Sequence, residues 1–572
     1  MGFIGRMFKW LLTLIVIGTV IGIFTNNKRQ HIDERTTLLI HAHGPLTEKA
    51  APDWEQLFEH ETLPSLPALV TILKKAAHDQ RISGVLLHVD SPEWGLAQVR
   101  ELAPAFDILR TQGKWSIAYM DSGSEAGPSD LMMEVAMLAD EIVMSPVGSI
   151  DLRGTAAHVP FIGNLLTRLK VDPYFDARKE FKSMPNTFTR SSMTPEQKQD
   201  LKQLVGDLQE ELENNIASRR KIDINTVKKF YQQASLTAEE AKTAKLIDRT
   251  GYWDEVIDDI KLRTTVENVD LLDINGYAAR IDDHNHEATH TMAFITAEGS
   301  IVTGNDDTGM ADNVHAGVIQ KALRDAREQK VSGVLLRVNS PGGSYVASDL
   351  MRREIELTRK AGIPVVVSMG NVAASGGYFI AMQSDHIFAD PTTITGSIGV
   401  FSGTFATRRM LQDHLGVTFD SVQSTPKATA MGIDPLTPDE KADMAKSLDA
   451  IYADFVHKAA VGRRMTDEAL EPLARGRVYT GRRAQSVGLV DTLGGISSAV
   501  AELKKRAKIP EDEVVNFTFF PEPPSPMALV REFLHPGSAQ IFGPLFRAFT
   551  RDPMGMLQSK GALHMNPVWV TP

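Results

Sequence analysis

Few residues in this chain carry a spacing that could do chemistry, and the clearest is a serine in a glycine turn. His386-Ile387-Phe388-Ala389 reads as a short apolar strand and Asp390-Pro391 opens a turn. After small hydroxyl residues comes Gly396-Ser397-Ile398-Gly399. Glycines on either side let the backbone turn sharply and leave the Ser397 hydroxyl open to a carbonyl carbon. Acyl transfer also needs a base for the serine proton and donors for the oxyanion. Asn339-Ser340-Pro341-Gly342-Gly343-Ser344 offers donors, because Gly342 and Gly343 lie between a strand and a helix and expose main-chain N–H groups. Gly396, beside the hydroxyl, completes the candidate substrate-binding set. Ser375, in Ala374-Ser375-Gly376-Gly377-Tyr378, is a second candidate nucleophile. Its small-residue helix start suits tight packing just as well, so it ranks below Ser397.

The base is harder to choose. No His–Asp pair stands near these motifs, and a lysine serves if burial lowers its pKa by several units. Lys182 follows Phe181 among apolar and hydroxyl neighbours, and Lys427 sits at a nearly equivalent place later in the chain. Composition alone does not separate them.

The elements that must position these residues come as a duplication. Arg81 to Pro92 (RISGVLLHVDSP) matches Lys330 to Pro341 (KVSGVLLRVNSP), 249 residues further on. Asp140 to Pro146 answers Asp385 to Pro391, Met193-Thr194-Pro195 answers Leu436-Thr437-Pro438, and Leu246 to Asp248 answers Leu489 to Asp491. The order is kept while the offset drifts only from 249 to 243, so two homologous domains follow, 36–265 and 290–508, joined by a linker, 266–289. Val334 to Val338 and Val365 to Met369 are near-continuous apolar runs, as strands covered on both faces would be. Between them Tyr345 to Ala361 is helical in pattern and stops at Gly362, which makes a right-handed strand–helix–strand unit. Pro195 to Arg220 and Pro438 to Arg463 read as paired long helices, each with a threonine cap before the proline.

The halves differ where chemistry would sit. Ser91-Pro92-Glu93-Trp94-Gly95 replaces the glycine pair with a carboxylate and an indole, and Ser129-Asp130-Leu131-Met132-Met133 stands in place of Ala374-Ser375-Gly376-Gly377-Tyr378. Gly148-Ser149-Ile150 is at most a displaced trace of the serine turn. The first-half site reads as dead.

The length of 572 residues implies more than one core, and a net charge of -11 argues against nucleic acid as partner. Cysteine is absent, which removes disulfides, thiolate catalysis and cysteine-ligated metals. His284, His286 and His290 lie with Asp282, Asp283 and Glu287 in a polar joint that reads as linker, so no metal site is expected. Trp10 to Phe24 is uncharged and mostly apolar, flanked by Arg6, Lys9, Lys28 and Arg29. Counted over 7–25 with Lys9 snorkelling, it approaches the ~20 residues a bilayer needs, and no small-x-small site follows it. An uncleaved transmembrane signal anchor is expected there. Beyond Phe520 a proline-rich spacer leads into a tail, 509–572 being of unassigned role.

Taken together, Asn339 to Ser344, Ala374 to Tyr378 and Thr395-Gly396-Ser397-Ile398-Gly399 resemble signal peptide peptidase A, the membrane-anchored protease IV family in its long two-domain form. The resemblance covers about residues 8–508, more strongly in the second half. It implies an α/β fold of tandem ClpP/crotonase-like domains, a serine/lysine dyad and no cofactor. It also implies a homotetramer on the periplasmic side of a bacterial inner membrane that degrades cleaved signal peptides. Ser397 is the implied nucleophile. The implied base lies in the first repeat, eleven residues before Met193, which is Lys182; single-domain relatives carry theirs near Lys427. ClpP-type peptidases place the nucleophile near Ser375, which keeps that residue in view. A crotonase-like acyl-CoA enzyme and a non-catalytic scaffold are the alternative readings.

Overall fold

In a computed structural model the chain forms two α/β units that pack on each other. The structure describes residues 31–49, 63–125, 127–233, 235–269, 271–281, 288–305, 313–425, 428, 432–520 and 569–571. The expected anchor at 7–25, the His/Asp joint at 282–287, Lys427 and nearly all of the tail lie outside those residues. No helix among the described residues is long and apolar enough to cross a membrane.

Each unit is a sheet of mostly parallel strands with helices on its faces, as the alternation of apolar runs and amphipathic stretches requires. In the first sheet the order is Leu271–Asp273, Thr36–Gly44, Ile82–Pro92, Trp115–Met120, Glu141–Met144, Arg249–Thr250, all parallel. In the second, Val334–Ser340 lies between His290–Glu298 and Val365–Ala374. The last of these forks: Val366 to Ser368 pair with His386–Ala389, and Val372 to Ala374 pair with Ile394–Gly396. The fork brings the strand ends that carry Ser375 and Ser397 side by side. Helix Tyr345–Lys360 joins two of the central strands as expected. The long helices Pro195–Arg220 and Pro438–Arg463 start at Thr194 and Thr437, whose side chains accept the amides of Gln197 and Glu440.

Two strands fall outside the expected domain limits. Leu271–Asp273 lies in the stretch read as linker but pairs with Thr36–Gly44, and Val515–Phe520 lies past 508 but pairs with His290–Glu298. Each covers a sheet edge that would otherwise leave backbone groups unpaired. Leu271–Asp273 spans only three residues, too few to carry a periodic signal.

The two units are tied by an exchanged ribbon and by a buried charge cluster. Asp172–Arg178 of the first unit pairs antiparallel with Val400–Ala406 of the second. Arg337, fully buried, donates to both carboxylate oxygens of Glu48 (3.1 and 3.0 Å) and to Glu101 (2.7 Å), all across the junction. It also donates to Ser368 Oγ at 2.8 Å and to the Met369 carbonyl at 3.1 Å. Removing one member of such a cluster leaves buried charge without a partner, which costs about 3–5 kcal/mol. Arg337→Met is expected to destabilise the protein by that amount in urea denaturation, whereas Arg353→Met on an exposed helix face is expected to change stability by less than about 1 kcal/mol.

Candidate active site

Ser375 sits where Val365–Ala374 turns into the short helix Gly376–Ala381. Its φ of 53° is in the left-handed region, so the chain reverses sharply at the serine. Its amide donates to the Gly396 carbonyl at 2.9 Å, which links this turn to the second one. Gly376 and Gly377 are needed for close approach: a Cβ on Gly377 would lie 2.5 Å from the Ser340 carbonyl, and one on Gly376 would lie 2.6 Å from Ser348 Oγ.

The Asn339–Ser344 loop packs directly on this turn. Gly342 has φ 103°, and a Cβ there would come within 2.5 Å of the Gly376 amide nitrogen and 2.8 Å of Ser375 Cβ. Gly343 is bridged to Ile301, and its amide would lie 3.1 Å from a Cβ on Gly376. Of the glycine pair singled out in the sequence, Gly342 therefore lies against Ser375 and Gly343 against Gly376, the residue after Ser375.

Ser397 has φ 51° and donates its amide to the Arg477 carbonyl at 2.6 Å. Gly396 packs against the Tyr479 ring, where a Cβ would approach to 2.7 Å. Behind this turn Arg475 to Val478 runs as a back wall. The Gly476 amide donates to the Ile398 carbonyl at 2.8 Å, and Arg475 accepts from the Phe181 amide at 3.2 Å. A Cβ on Gly476 would sit 2.4 Å from the Lys182 amide nitrogen. The same wall is held from the first unit by Asp200, whose carboxylate accepts the Val478 amide at 3.0 Å and is pushed up to about 6 by burial. Sequence inspection missed Asp200 and Gly476. Only the left-handed backbone at Gly476 hints at a role, and that is not visible in a sequence.

Lys182 closes the site from the other repeat. Its Nζ lies 3.0 Å from Ser375 Oγ, 3.0 Å from Ser397 Oγ and 3.0 Å from the Ser397 carbonyl oxygen. Burial, with no carboxylate in contact, pulls its pKa down to about 7. A neutral amine carries two N–H bonds and one lone pair, which matches three neighbours of which one, the carbonyl, only accepts. The structure thus brings together Ser375, Ser397, Lys182, Gly342, Gly343 and Gly396. Among the described residues no cluster is suited to a metal ion. In the first half, Ser149 pairs its hydroxyl with that of Ser124, while Ser129 accepts the Asp151 amide at 2.7 Å.

With this geometry in view, comparison with known proteins is direct. The profile described as Peptidase family S49 matches residues 109–267 and 358–510. The chloroplastic serine protease SPPA of Arabidopsis thaliana is 32% identical over 80% of this chain and 68% of its own. Protease 4 of Salmonella typhi is 31% identical over 78% of this chain and 72% of its own. A putative signal peptide peptidase SppA of Enterococcus faecium is 35% identical over 36% of this chain and 59% of its own. The protein is a serine peptidase. It belongs to peptidase family S49 and is of the SppA type, which removes the acyl-CoA and scaffold readings.

The buried amine should cost stability. Folded, Lys182 loses its proton near pH 7; unfolded, it keeps it to about 10.5. Between these values the unfolded chain binds one proton more, so stability rises with pH across that window and is lowest at pH 7 and below. At ~1.4 kcal/mol per pKa unit the burden reaches several kcal/mol. Lys182→Met is expected to raise stability at pH 7 by about 2–4 kcal/mol and to flatten its dependence between pH 7 and 10, read from urea denaturation at each pH.

Proposed function

We propose that this chain hydrolyses extended apolar peptides, cleaved signal peptides among them, with Ser375 as nucleophile, Lys182 as general base and Ser397 holding the lysine in place. The observation that carries this is the close approach of Gly342 to Ser375 and of the Gly343 amide to Gly376, the residue after Ser375. It reverses the order in which the sequence ranks the two serines. Two further features support the reversal. Ser397 accepts from Lys182 through both its hydroxyl and its carbonyl, which suits a holder, and its amide is already engaged by Arg477. Ser375 stands immediately before the first amides of a helix, which suit an oxyanion, and its backbone has a left-handed φ.

Neutral Lys182 takes the Ser375 proton as Ser375 Oγ bonds to the substrate carbonyl carbon. The oxyanion faces the amides of Gly343 and Gly376. Lys182, now an ammonium, returns the proton to the leaving amine as the peptide bond breaks. Water then attacks the ester, giving its proton to Lys182; the carboxylic acid leaves and Ser375 regains its hydrogen.

The apolar preference is supported by Phe175, Phe188 and Phe405, which cluster on and beside the ribbon leading from Ser397. The basic-flanked apolar run at residues 10–24 supports anchoring in a membrane, while a bacterial inner membrane with the body on the extracytoplasmic side is what the family resemblance implies. The name of the Enterococcus relative agrees with the substrate class.

A fluorophosphonate followed by peptide mapping tests the roles: modification at Ser375 is expected, and modification at Ser397 would overturn the assignment. Ser375→Ala and Lys182→Ala are expected to abolish hydrolysis of a fluorogenic apolar peptide, and Ser397→Ala to lower kcat by roughly 10- to 1,000-fold. Because only the neutral amine has a lone pair, kcat/KM should rise with pH through about 7 and level off above it.

A further inference from the structure

The wall Arg475 to Val478 fills the space between Phe181-Lys182 of the first unit and Ser397-Ile398 of the second. Toward the first unit, the Phe181 amide donates to the Arg475 carbonyl, and a Cβ on Gly476 would overlap the backbone of Lys182. The Arg477 guanidinium also stacks on the Phe181 ring, 3.7 Å from its centroid. Toward the second unit, the Ser397 amide donates to the Arg477 carbonyl and the Gly476 amide to the Ile398 carbonyl. The wall therefore touches both ends of the Lys182–Ser397 contact, and any shift in it changes how the amine meets the serines.

What holds the wall is a carboxylate of the first unit. Val478–Thr480 pairs antiparallel with Ile394–Gly396, Val478 standing opposite Gly396, and is the outermost strand of that sheet among the described residues. Asp200, on helix Pro195–Arg220, accepts the Val478 amide at 3.0 Å. The cations facing Asp200 are Arg477 on the wall and Arg483 on helix Gly481–Ser486. Two turns along its own helix, Asp207 accepts from Thr480 Oγ1 at 3.3 Å and faces Arg483 at 3.8 Å. One first-unit helix thus grips both ends of the strand, and the Asp200 end is the one that adjoins Ser397. As a carboxylate, Asp200 makes a charge-assisted bond to Val478 and holds Arg477 where it stacks on Phe181; as a neutral acid it does both more weakly. Burial outweighs the two arginines and raises its ionisation to about 6, so the charge is present in neutral water and lost in mild acid.

We propose that Asp200 is a positioning residue for the Ser–Lys site: its negative charge fixes the wall that sets Lys182 against Ser375 and Ser397, and mild acid releases that wall. The site then carries two ionisations with different tasks, an amine that moves the proton and a carboxylate that holds the amine's surroundings. The inference rests on Lys182 as the base and is independent of which serine reacts.

Asp200→Asn is neutral at every pH and keeps a side-chain carbonyl for the Val478 amide. Hydrolysis of a fluorogenic apolar peptide by the full chain in detergent micelles is measured from about pH 5 to pH 9. At pH 8 the variant is expected to fall about tenfold below the unaltered chain, in kcat with KM unchanged. The gap is expected to narrow to about twofold at pH 5, where the unaltered chain is itself mostly protonated at Asp200. A merely structural contribution would give a deficit that does not change with pH. Asp207→Asn, against the far end of the same strand, is expected to match the unaltered chain throughout. No deficit in Asp200→Asn, a deficit constant from pH 5 to 9, or an equal deficit in Asp207→Asn would overturn the proposal. Lys182→Ala activity and mapping of the fluorophosphonate adduct in the same preparations read the base and the nucleophile separately, so a failure of those roles is distinguished from a failure of Asp200.

Discussion

An amine that must stay uncharged in neutral water is the constraint on which the rest of this structure depends. Lys182 can act on a serine only without its proton, and water would keep it protonated. Burial removes that stabilisation, and hydroxyl and carbonyl partners supply hydrogen bonds without restoring the positive charge as a carboxylate would. No single repeat surrounds the amine. The lysine rises from the first unit, while both serines and the back wall at Arg475 to Val478 belong to the second. The proposed catalytic site is therefore a property of the junction.

That dependence explains what the junction is made of. A cluster around Arg337 and an exchanged ribbon hold two units whose error in placement would be felt at three 3.0 Å contacts. Buried charge is a poor source of net stability, but it penalises misregister strongly. Asp200 acts in the same direction, reaching from a first-unit helix to the Val478 amide behind Ser397.

The degenerate first repeat gains a meaning from this. Where the second unit has Gly342-Gly343, the first has Glu93-Trp94, and Trp94 is buried at 3%. The next residue, Gly95, lies so close to Asn371 of the second unit that a Cβ would overlap its amide group. The loop that lines a site in one repeat thus serves as packing against the other. Losing the glycine pair and keeping the lysine are two sides of one division of labour.

Much of this was legible from residues alone. The duplication, the parallel α/β units, the capped long helices and the set Ser375, Ser397, Gly342 and Gly343 follow from local patterns and spacing, whereas Lys182 was singled out over Lys427 only by the family resemblance. Such patterns record which face of an element is apolar and where the backbone must turn, because those demands act on neighbouring residues. The sequence by itself determined that a serine peptidase site and a second, altered copy of its fold exist. Only the tertiary structure decided which serine lies against Gly342, because the fork in Val365–Ala374 sets two turns side by side at distances no spacing encodes. It also decided that Asp200 and Gly476 support the site and that short edge strands extend each sheet. Those contacts join residues hundreds of positions apart, and their energies depend on burial that exists only once both repeats have folded together.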